Sequence, residues 1–119
     1  MDIVLASQEY DLRIALELLL REQPGAYVVG TASSTQGLLG LIQSACPDLV
    51  LLDWDLPGRP SIEVLAEVSS ADCRPKIIVL GKDPEARPVA LAAGADAFVV
   101  KGEPPEQLLI AFRQVSPEP

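Results

Sequence analysis

Residues 47–58, PDLVLLDWDLPG, contain the uninterrupted apolar run Leu49, Val50, Leu51 and Leu52. A run without alternation reads as a strand buried on both faces of a parallel sheet, where neither face meets water. It ends in acid. Asp53 and Asp55 stand where the strand leaves the core, and Pro57 and Gly58 then force a turn. Ligands and chemistry collect at the carboxyl ends of strands in open α/β sheets, so Asp53 is a candidate site residue on position alone.

Outward from this strand, the apolar runs at 2–6, 26–31, 76–80 and 97–100 read as four more strands. Leu12, Ala15, Leu16, Leu19 and Leu20 recur at helical spacing before Pro24 and Gly25 end the helix. Leu38, Leu39, Leu41, Ile42 and Ala45 suit a second helix, which Gly37 and Gly40 weaken by about 1 kcal/mol each relative to Ala. Ser61 is read as the N-cap of a third helix burying Ile62, Leu65 and Val68. Pro84 and Pro88 cannot both lie comfortably inside a fourth, so its regular part is expected to begin near Pro88 and to close at Gly94. Pro104 and Pro105 open a fifth helix with an apolar face of Leu108, Leu109, Ala111, Phe112 and Val115. Strand and helix thus alternate five times, the pattern of a doubly wound α/β domain with a parallel sheet covered on both faces and right-handed crossovers. The domain is expected over 1–115. The remaining residues, 116–119 (SPEP), read as the start of a linker or tail, so the chain is expected to be one piece of a longer protein.

Composition narrows the functional classes. The chain has 119 residues, enough for one core, with 49% apolar residues and a formal charge of −8. Nucleic-acid and anionic-membrane surfaces need clustered Lys and Arg, and here nine basic residues are scattered. The first residues show neither a signal peptide nor a membrane span, so a cytoplasmic location is expected. With no histidine, a Ser-His-Asp triad and the commonest general base are excluded. Cys46 and Cys73 lack metal-ligand or CxxC spacing and are expected to be free structural thiols.

Three segments, PDLVLLDWDLPG, ALAAGADAFVVK and IVLASQEYDLRIAL, resemble the receiver domain of two-component response regulators, and the resemblance covers essentially the whole chain. The ending VVKGEPPEQLLIAFRQV is closer to receivers that precede a LuxR/NarL-type DNA-binding effector. The resemblance implies a flavodoxin-like sheet of strand order 2-1-3-4-5. It places Asp53 at the phosphoacceptor position, Lys101 at the phosphoryl-binding lysine and Phe98 at the switch aromatic. It also implies two acidic residues after the first strand, holding magnesium with the phosphoacceptor, and a Thr or Ser at the end of the fourth strand. This chain has Ser7 and Gln8, and Gly81, at those positions.

Magnesium prefers anionic oxygens in near-octahedral array, and the two neutral side chains leave Asp53 as the one assured carboxylate. Glu9 or Asp55 would approach a metal only through a shifted turn. Glycine has no hydroxyl to contact a phosphoryl group. The expected reading is therefore a pseudo-receiver with no resident metal, cofactor or catalytic group, in which Asp53 and Lys101 form a standing ion pair. Its expected partners are proteins: a histidine kinase, an effector domain, or a second copy through the fourth helix, fifth strand and fifth helix, with Val89, Leu91, Phe98 and Phe112 as candidate contacts. Trp54 reads either as a partly exposed loop residue or as a plug over the acidic site. The alternative is a working phosphoacceptor receiver that uses magnesium and is phosphorylated on Asp53 by a histidine kinase. A flavodoxin-like cofactor binder is least favoured, because ASQEYD lacks a phosphate cradle.

Overall fold

The computed structural model describes residues 1–116. Strands β1 (Asp2–Ala6), β2 (Tyr27–Ala32), β3 (Leu49–Asp53), β4 (Lys76–Gly81) and β5 (Ala97–Val100) alternate with helices α1 (Tyr10–Arg21), α2 (Thr35–Ala45), α3 (Ser61–Ser69), α4 (Ala86–Ala92) and α5 (Pro105–Val115). All pairings are parallel, in the order β2-β1-β3-β4-β5. The linker expected at 116–119 lies almost wholly outside the described residues.

The sheet divides the core into two layers. Val4, Val50, Leu52, Val79 and Phe98 point toward α2, α3 and α4. Ile3, Leu5, Leu49, Leu51, Ile78 and Val99 point toward α1 and α5. Period-two alternation in a strand covered on both sides therefore puts every residue of β3 in the core, as its apolar run requires. At about 1.5–3 kcal/mol for each fully buried aliphatic side chain, these central strands supply much of the folding drive.

Several local expectations are corrected. Ile62 is 43% exposed, and Val64 joins Leu65 and Val68 on the buried side of α3. Ala15 lies exposed on α1, where Leu16 and Leu20 make the deepest contacts. Ser61 is the first helical residue, after Pro60 at the N-cap. Its hydroxyl donates outward to the Trp54 carbonyl (3.0 Å). α4 begins at Ala86, so Pro88 falls in the first turn, where its missing N–H breaks no helical hydrogen bond. Asp83 leads into that turn by accepting the Glu85 N–H on its side chain (2.9 Å) and the Ala86 N–H on its carbonyl (3.0 Å).

The free thiols expected at Cys46 and Cys73 are instead joined in a disulfide, with their Cα atoms 5.5 Å apart. Cys46 follows α2 in a left-handed conformation (φ 45°), and Cys73 lies in the turn before β4. Both follow helices on the same face of the sheet, at the end where β3 and β4 begin. The neighbourhood is created by two crossovers, so no local spacing reveals it.

Candidate functional site

β3 carries Asp53 to the carboxyl end of the sheet, and sheet hydrogen bonding continues beyond the neighbouring strand ends. Ser7 N–H donates to the Ala32 carbonyl (2.9 Å), Trp54 N–H to Leu80 (2.8 Å) and Lys101 N–H to Gly81 (2.8 Å). The backbone thus fixes Ser7, Asp53 and Lys101 around one point, although they lie far apart in sequence.

Asp53 is only 2% exposed, and both its oxygens are engaged. Oδ2 accepts the Ser7 hydroxyl (2.9 Å). Oδ1 accepts the Asp55 N–H (3.0 Å) and pairs with Lys101 Nζ (2.8 Å). The standing ion pair expected from the sequence is present. Lys101 Nζ also holds Glu9 Oε2, so one ammonium bridges a buried and a surface carboxylate. Burial pushes the Asp53 carboxyl up, but the hydrogen bonds from Lys101, the Asp55 N–H and Ser7, together with the Lys101 charge, outweigh it and hold the group below its ordinary 3.8. For Lys101 burial acts downward. Hydrogen bonds and charge from Asp53 and Glu9 reverse that effect and raise the ammonium above its ordinary 10.5.

Sequence reasoning counted Ser7 as a missing acid. In the structure its hydroxyl donates to Asp53 while accepting the Glu9 N–H (3.0 Å), which shapes the turn that brings Glu9 to Lys101. Gln8 is exposed, and Asp55 contributes its backbone N–H while its side chain faces outward. These donors do not fit a magnesium ion: Asp53 already accepts from three donors, the Ser7 hydroxyl is neutral and committed, and the Glu9 carboxylate faces an ammonium. Among the described residues no group of three or more His, Cys, Asp or Glu is placed to hold a metal ion.

The loop after Asp53 is tied down by Thr35, which the sequence did not single out. Thr35 N–H donates to the Pro57 carbonyl (2.9 Å), and its hydroxyl oxygen accepts the Arg59 N–H (2.8 Å). Gly58 sits between them at φ +114°, where a Cβ would stand 2.3 Å from Thr35 Oγ1. Only glycine fits this backbone and this contact. Trp54 is half-buried against the α2–α3 layer, so its ring belongs to the packing of that layer. Of the candidate contact residues, Val89 and Leu91 are exposed, together with Ile110, whereas Phe98 and Phe112 are buried and offer little surface to a partner.

The family model for the response regulator receiver domain matches residues 3–113. The nitrate/nitrite response regulator protein NarL of Escherichia coli (strain K12) is 33% identical over 116 residues, covering 96% of this chain and 54% of the relative. The transcriptional regulatory protein YhcZ of Bacillus subtilis (strain 168) is 34% identical over 117 residues, covering 97% and 54%. This chain therefore spans about half the length of the curated relatives it matches. Among solved structures, a two-component response regulator of the LuxR family from Aurantimonas superposes with a TM-score of 0.87 at 26% identity, covering 96% of this chain and 83% of that one. A DNA-binding response regulator of the LuxR family from Staphylococcus aureus gives 0.85 at 25% identity, covering 96% and 97%.

Proposed function

The chain belongs to the response regulator receiver domain family, and we propose that residues 1–115 form a receiver that regulates through protein contact, with weak or no phosphorylation of Asp53. The observation that carries this reading is the heavily engaged Asp53 carboxylate. A nucleophile must present a free lone pair to the phosphoryl group, and in-line attack is assisted by a cation on the transferring oxygens. Here Oδ1 accepts twice and Oδ2 once, which takes up three of the carboxylate's roughly four lone-pair sites, and the Lys101 ammonium is shared with Glu9. The role is regulatory, with no reaction assigned to the chain's own residues.

Trp54, adjacent to Asp53, supplies the test. Titration with magnesium and then beryllofluoride is expected to leave its fluorescence without a saturable response. A saturable response abolished by Asp53→Asn would establish the alternative, a working phosphoacceptor. The approach of Lys101 to Asp53, 2.8 Å, favours that alternative, because a cation at this place also suits developing phosphoryl charge.

By likeness to the DNA-binding response regulator of the LuxR family from Staphylococcus aureus, the receiver would act beside a DNA-binding effector domain, and the location proposed for it is the cytoplasm. The charge of −8 keeps this segment itself away from nucleic acid and anionic membranes, and among the described residues no helix is long and apolar enough to cross a membrane. Its partners are a kinase, the effector, or a second copy through the α4-β5-α5 face. Val89, Leu91 and Ile110 supply exposed apolar surface there. Solution mass over a dilution series is expected to show a dimer that Leu91→Asp dissociates; a monomer throughout would remove self-association from this reading.

A further inference from the structure

Gly81 and Phe98 make a contact that no other residue at position 81 would permit. A Cβ placed on Gly81 would stand 2.8 Å from Phe98 Cζ and 3.0 Å from Cε2, well inside van der Waals distance, and 3.6 Å from the Trp54 Cβ. The ring thus rests on the bare backbone at the end of β4. It is 4% exposed. Above it lies Arg87 of α4, with its guanidinium carbon 5.4 Å from the ring centroid, within cation–π reach. Beyond Arg87 a cavity of about 330 Å³ opens between α4 and α5, with Leu91, Gln107 and Ile110 in its lining.

From this packing we infer that Gly81 is the seat and Arg87 the lid of a permanently inward Phe98, which holds the α4-β5-α5 face in one conformation whatever the state of Asp53. Three features support the inference. The space beneath the ring exists because position 81 lacks a side chain, and any substituent there would compete for it. The contact is with the far end of the ring, the part of a side chain that can swing away, so a substituent would evict Phe98 toward the cavity without first moving the sheet. Finally, Gly81 lies between Asp53 and Phe98 and has no side chain through which a change at Asp53 could push the ring. The inference does not depend on Asp53 being inert.

NMR of the full chain tests it. Nuclear Overhauser contacts between the Phe98 ring and the Gly81 α-protons are expected in the wild type, with flat relaxation dispersion at the ring. Both should persist in Asp53→Asn and in the presence of magnesium and beryllofluoride. Gly81→Ala is expected to lose contacts between Phe98 and residue 81 and to gain contacts from the ring to the Leu91 and Ile110 methyls. Arg87→Ala should keep the seat contact while increasing ring exposure to a soluble paramagnetic probe. A dispersion profile revealing a second ring position, loss of the contact on adding beryllofluoride, or its retention in Gly81→Ala would each overturn the inference. The wild-type measurements stand even if Gly81→Ala fails to fold. Saturable beryllofluoride binding with the ring unmoved would overturn the contact-only function proposed above while supporting the fixed seat.

Discussion

Lys101→Met is expected to lower the unfolding free energy at neutral pH by about 3–5 kcal/mol, because it leaves the Asp53 carboxylate buried without its counter-ion. The lower end of that range applies, since Ser7 and the Asp55 N–H still donate to Asp53. The pH dependence gives the signature. In the wild type Asp53 is depressed below 3.8, so its contribution is fully present above 3.8 and is lost as pH falls through the folded-state value. Lys101 is raised above 10.5, so its contribution is present below 10.5 and lost as pH rises through the folded-state value. Between these limits the pair gives a plateau. With Lys101 gone, burial, the largest single influence on Asp53, is opposed by the Asp55 N–H and Ser7 alone, and the carboxyl is expected to rise above its unfolded value. Its effect on stability then reverses sign, being harmless at acid pH and destabilising as pH rises through the raised value. Urea unfolding at pH 4 and pH 7 should therefore show the gap between wild type and Lys101→Met shrinking in acid, and Lys101→Met/Asp53→Asn should recover much of the loss at pH 7. An equal cost at both pH values would remove the unpaired carboxylate as its cause.

The same pair shows how far the sequence is legible. The uninterrupted apolar run of β3 places Asp53 at the carboxyl end of the sheet, and the resemblance to receiver domains names Lys101, after β5, as its partner. The parallel sheet brings those strand ends together, and the ion pair is present. The role of Glu9 does not, because it depends on the turn Ser7 makes by accepting the Glu9 N–H, a side-chain contact that no periodicity encodes. Helix α3 is shifted for a similar reason. Ser61 resembles an N-cap by type, but Pro60 takes that place and frees the hydroxyl for Trp54. Phe98 reads as interface or core by composition alone, and Gly81, at the end of the neighbouring strand β4, decides for core by leaving room for the ring.

Removing the Cys46–Cys73 disulfide is expected to cost about 3–4 kcal/mol. The bridge spans 27 residues, and closing a loop of that length in the unfolded chain removes entropy of this size. For a domain of this length the loss corresponds to roughly 10–20 °C in melting temperature. Thermal melts with and without dithiothreitol should differ by this amount. Cys46→Ser/Cys73→Ser should coincide with the reduced wild type and ignore the reductant, and two titratable thiols in unreduced protein would sink the expectation. The effect should not reach the acidic pocket, since the bridge lies where β3 and β4 begin and Asp53 lies where β3 ends. Trp54 emission in the folded baseline should accordingly be unchanged by reduction. A reducing cytoplasm keeps such thiols open. In the location proposed for this receiver, its stability would then be set by cellular redox poise, while the Asp53–Lys101 pair at the opposite end of the sheet would remain intact in both redox states.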